Sequence, residues 1–135
     1  MNTTAEELFE RLQEIRELAQ QPLPHDDEAS KSYDALFATS LHEVLVLTCH
    51  AGVRDTHQAF GNLFSQVDYL CKRHSIALAD RRAIQRMRRH SNHPVRLSRD
   101  DRIADVHALS ILMCAVFPCR GKWRQHRQGG GVRGR

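Results

Sequence analysis

Ten basic residues fall between positions 72 and 102: Lys72, Arg73, Arg81, Arg82, Arg86, Arg88, Arg89, Arg96, Arg99 and Arg102. A guanidinium donates hydrogen bonds in a planar fork that fits two phosphate oxygens, so arginine suits a site for a polyanion. Five of these residues, Arg81, Arg82, Arg86, Arg88 and Arg89, share the segment ADRRAIQRMRRHSN, where Ala83, Ile84 and Met87 form a narrow apolar line. Wound as a helix with that line inward, the segment turns guanidinium groups toward water. These five, with Lys72 and Arg73 just before them, are the candidate nucleic-acid-binding residues. A competing reading is electrostatic pairing within the protein. Residues 1–44 hold ten acids against three bases, a net −7, whereas residues 72–102 net +7. The basic face would then meet the acidic first forty residues, within one chain or between copies. Charge clustering alone does not separate the two readings.

Other chemistries are less well served. Nine histidines and four cysteines invite a zinc site. Cys71 and His74 stand three apart, as do His90 and His93, but a tetrahedral centre needs four ligands, usually from knuckle-like turns. Cys71 lies inside an apolar stripe, and core packing is its simpler explanation. Cys114 and Cys119 lack both the spacing and a histidine partner. His42 and Glu43 are adjacent, so on a helix they point about 100° apart. No Gly-x-Ser-x-Gly is present, and nothing sets a base beside a nucleophile. Asp26–Asp27 and Asp100–Asp101 sit where helices should start and read as caps. Gly121–Lys122 lacks the rest of a phosphate loop. No catalytic residue, metal or cofactor is expected, and the chain reads as a non-enzyme.

The elements that must position the arginines are helical. Thr4 and Glu7 make a capping box at the start of a helix over residues 4–20, with Leu8, Leu12 and Ile15 inward. Pro22 and Pro24 end it. A second helix is expected over residues 28–50, burying Leu41 and Leu45 and stopped by Gly52 in a left-handed conformation. The run EVLVLT could instead form a strand, but no partner strand is evident. A third helix, starting near residue 55 and running to 74, would bury Phe60, Phe64, Val67 and Leu70 in one stripe. The arginine helix is expected over residues 80–91 with Asp80 as its cap and Ile84 inward. A fifth follows over 99–117, capped by Ser98 with Asp101, and buries Val106, Leu109 and Met113. A helix–turn–helix can be drawn from residues 59–74 and 80–91, although its turn exceeds the usual three or four residues.

The whole is an expected all-α, five-helix bundle in a single domain over residues 1–117, followed by a disordered basic tail over 118–135. The tail is basic only, with three consecutive glycines, and carries Trp123, which could stack on a base. Its abrupt change of character reads as a non-native end, which mass spectrometry of the natural product would refute by finding that terminus intact. With 135 residues, 41% hydrophobic and 27% charged, the composition is ordinary for a globular protein. No uninterrupted apolar run approaches the roughly 18 residues of a membrane span. The acidic N-terminus does not read as a secretory signal, so a reduced cytoplasmic protein with no membrane contact is expected.

The stretch FGNLFSQVDYLCKRHSIALADRRAIQRMRRHSN, followed by DDRIADVHALSILMCAVF, resembles a helical region that precedes the motor in some large bacterial superfamily-1 helicase-like proteins. The similarity covers residues 3–117 and includes no motor residue. It implies a helicase-associated accessory module that helps hold DNA or a neighbouring domain. The leading expectation is therefore a DNA-binding module, and the alternative is a protein-interaction or oligomerisation domain.

Overall fold

A computed structural model describes residues 4–118, and within them the chain is an all-α bundle of five helices with no strand. The helices are α1 (Ala5–Gln20), α2 (Asp27–Val53), α3 (Leu63–Arg73), α4 (Leu78–Asn92) and α5 (Arg99–Val116), with one 3-10 turn at His57–Phe60 before α3. The tail expected over 118–135 lies, beyond Pro118, outside the described residues.

Several ends follow from local chemistry. Thr4 accepts from the Glu7 backbone N–H at 3.1 Å, and the Glu7 carboxylate accepts from the Thr4 N–H at 2.8 Å, so the capping box closes in both directions. Asp26 and Ser98 cap α2 and α5 through the backbone N–H groups of Ala29 and Asp101. At the end of α3, Ile76 donates back to the Cys71 carbonyl and Ser75 to that of Lys72. This is a Schellman closure, with Ser75 in the left-handed region at φ 55°.

The long α2 is the hub, packed by each of the other four helices. Its buried residues, among them Phe37, Leu41, Val44, Leu45 and Cys49, join Leu8, Leu12 and Ile15 of α1, Val67 and Leu70 of α3, Ile84 and Met87 of α4, and Val106, Leu109 and Met113 of α5. From Ala108 to Phe117 no residue is exposed. Although α2 holds no long uninterrupted apolar run, an 18-residue window of it reaches a mean hydropathy of 1.3. By length and composition that helix could cross a membrane. Here 44% of that window is buried in the bundle.

Four sequence expectations give way. Gly52 is not a stop. It lies within α2, where a Cβ would come to 2.8 Å from a Leu70 methyl and 3.2 Å from one of Val116. The missing side chain lets three helices approach closely. The third helix does not run through from residue 55: it breaks at Gly61, and Asn62 caps a fresh start by accepting from Ser65 N–H at 2.8 Å. The break removes Phe60 and Phe64 from the core, where they are 97% and 51% exposed. The buried face of α3 centres instead on Gln66, Val67, Leu70 and Cys71. Finally, α4 begins at Leu78 behind Ala77, and Asp80 sits inside its first turn rather than capping it.

Candidate nucleic-acid interface

Three residues hold α4 in place. Ile84, Met87 and Ser91 fall on one side at spacings of three and four and are buried against α2 and α5. The opposite side carries Arg82, Arg86 and Arg89 at spacings of four and three, all exposed. They form a ridge about two turns long, on the order of 10 Å. The side chains of Arg82 and Arg89 make no hydrogen bond or ion pair among the described residues, and Arg86 makes neither.

The other two arginines of the segment face the chain itself. Arg81 is half-buried, and its Nε donates to the Ile76 carbonyl at 2.7 Å, tying α4 to the loop before it. Arg88 donates to Gln85 Oε1 at 2.6 Å, and its guanidinium lies 5.3 Å from the centre of the Phe64 ring on α3. Burial, then the neighbouring Arg89 charge, pulls the Arg88 pKa below its usual value. Gln85 also donates to the Phe64 carbonyl at 3.2 Å, fixing the α3–α4 corner. On α3, Lys72 pairs with Asp68 at 3.0 Å and Arg73 donates to the Tyr69 hydroxyl at 2.9 Å, and both basic side chains remain exposed.

On the α5 side, His90 Nδ1 lies 2.7 Å from Asp105 Oδ2. Asp105 is 1% exposed. Its burial raises the carboxyl pKa, while the hydrogen bond and charge of His90, then the charge of Arg86, pull the other way. Arg86 thus offsets a buried acid and still presents its head to solvent.

Of the ten basic residues singled out, two more are committed elsewhere. Arg96 binds Asp34 of α2 at 2.8 Å. Arg102 is 2% exposed and is wholly structural. It donates to the carbonyls of Ala19 at 3.0 Å, Gln21 at 2.8 Å and Leu97 at 3.0 Å, and it lies 5.1 Å from the Tyr33 ring centre. Its role could not be read from spacing, because its partners are up to 83 residues away.

Of the pairing expected within one chain between the acidic first forty residues and the basic stretch, Asp34 with Arg96 is one instance, but it leaves the α4 ridge untouched. The acidic α1 packs on α2 and α5, and among the described residues no ion pair joins α1 to α4. Arg11 and Glu43 link α1 to α2 at 3.3 Å. Among the described residues no three His, Cys, Asp or Glu side chains converge as a metal site. Cys71 is buried and His74 exposed.

No family model matches the chain, and no curated protein or solved structure matches it.

Proposed function

We propose that this protein is a non-catalytic helical module that binds nucleic acid through the outward ridge of α4. The observation that carries this reading is the placement of Arg82, Arg86 and Arg89 in line on a solvent face, none of them in an ion pair among the described residues. The α3–α4 corner, with Arg88, Lys72 and Arg73, extends the same basic surface. Arg81 serves the fold as well, since its Nε is committed to the Ile76 carbonyl. The resemblance to helicase-associated regions fits an accessory role of this kind, in which the module holds DNA for a neighbouring motor. A reducing compartment such as the cytoplasm suits the free thiols of Cys49, Cys71 and Cys114.

The test is a salt titration of duplex DNA binding by fluorescence anisotropy, with the full chain and with Arg82→Ala/Arg86→Ala/Arg89→Ala. Each phosphate neutralised contributes about −0.9 to the log–log slope. The triple variant should therefore flatten the slope by about 2.7. A slope that does not change removes the ridge from the interface, whatever affinity the basic tail contributes.

A second reading rests on the unmet charge of α1. Glu10, Glu14 and Glu17 are exposed on one side of that helix and form no ion pair among the described residues. Two copies could pair the acidic face of one with the basic face of the other. Light scattering at low salt would then return twice the monomer mass, falling to one as salt screens the contact.

A further inference from the structure

We infer that the α3–α4 corner takes single-stranded nucleic acid, with Phe60 and Phe64 as platforms on which unpaired bases stack; the inference rests on the nucleic-acid reading above and narrows its ligand. The two rings are anomalous for a bundle whose other large apolar groups mostly find the core. Phe60 is the last residue of the 3-10 turn, and its ring lies almost wholly in water. The turn that presents it is well fastened. Thr56 caps it by accepting from Gln58 N–H at 3.0 Å, and Gln66, buried in α3, donates to the carbonyls of Gln58 and Gly61, each at 3.1 Å. The ring is therefore offered by a fixed backbone and needs little ordering when a ligand arrives.

Phe64 lies four residues later in the chain, in the first turn of α3, half-exposed, with the Arg88 guanidinium over its ring. An arginine so placed holds the ring on one side and keeps positive charge next to it. Arg89 follows on the ridge, and Lys72 and Arg73 flank the corner on α3. Exposed rings interleaved with cations are the pattern by which sequence-tolerant single-strand binders work: rings take the bases and cations take the backbone. Duplex does not suit the rings, because paired bases already bury their faces in the stack. The same corner of a second copy does not suit it either, since two such faces would oppose like charges.

Anisotropy of the full chain with a labelled thymidine oligomer of about 16 nucleotides, against a duplex of equal length, tests this. Phe60→Ala should weaken single-strand binding roughly 5- to 150-fold, the range for loss of one stacked base, and leave duplex binding unchanged. Phe60→Trp should restore single-strand binding, whereas Phe60→Leu should not, which separates stacking from bulk. The ring is so exposed that none of these changes disturbs the core, and circular dichroism should be unaltered. Equal single-strand binding by Phe60→Ala and the parent overturns the inference and leaves the ridge reading to its own salt slope. Failure of the parent chain to bind either nucleic acid removes both. A parent dimer that Phe60→Ala converts to monomer, with oligomer binding intact, reassigns the rings to self-association and overturns the inference.

Discussion

Replacing Arg102 by methionine tests whether one buried cation closes the bundle. The side chain reaches three carbonyls from two separate stretches, the end of α1 and the loop before α5. Methionine fills a similar volume with no donors. Gln21 is exposed, so its carbonyl can turn to water. Ala19 is buried and Leu97 half-buried, and their carbonyls lose a charged donor with no easy replacement. At about 2 kcal/mol for each of these two, the loss is about 4 kcal/mol. For a chain of this size that lowers the melting midpoint by about 15 °C. Urea unfolding followed by far-ultraviolet circular dichroism would measure it at an unchanged m-value. Arg102→Lys keeps the charge but cannot span three carbonyls, and should lie between the two. A loss under about 1 kcal/mol for Arg102→Met, well below the range for a stranded buried polar group, would refute the view that these bonds hold α1 to α5.

Two further outcomes follow from particular residues. Ser75→Gly should raise stability by about 1 kcal/mol in the same assay, because glycine enters the left-handed region without the Cβ clash that serine bears there at φ 55°. Burial pushes the Cys49 thiol up to about 12 and the Cys71 thiol up to about 11, from an ordinary 9.0. Above pH 9 the unfolded chain releases protons that the folded chain keeps, so stability should fall as pH climbs through 9 toward 11. Cys49→Ala/Cys71→Ala should flatten that slope, whatever it costs the core, as read from urea midpoints across the range.

What could be read in the chain was whatever short-range chemistry decides. Thr4 with Glu7 and Ser98 with Asp101 announce helix starts because a cap and its target lie three residues apart. The apolar lines of α1 and α5 repeat often enough to fix their inward faces. The third helix misled because Phe60, Leu63, Phe64 and Val67 keep helical spacing across a chain that is not helical throughout. Asn62 offered the competing signal, as a cap just after a glycine, and it prevails. Within the basic cluster, type and spacing located the ridge on α4, and Arg82, Arg86 and Arg89 are separable from Arg81 and Arg88 by helical phase alone. Nothing local distinguished Arg102 from Arg99, since only the arrival of the end of α1 makes one of them interior. By spacing Phe60 reads as core, and its exposure follows from the turn that presents it, which spacing does not encode.

The hub position of α2 bears on how the chain must be made. Synthesis delivers α2 before α3, α4 and α5, so the sides that those helices later sheathe are bare. For that interval the nascent polypeptide displays a segment with the hydropathy of a bilayer anchor. Its burial within the bundle is completed by the helices translated after it, so a ribosome stalled before α5 would leave a product with part of that apolar surface uncovered.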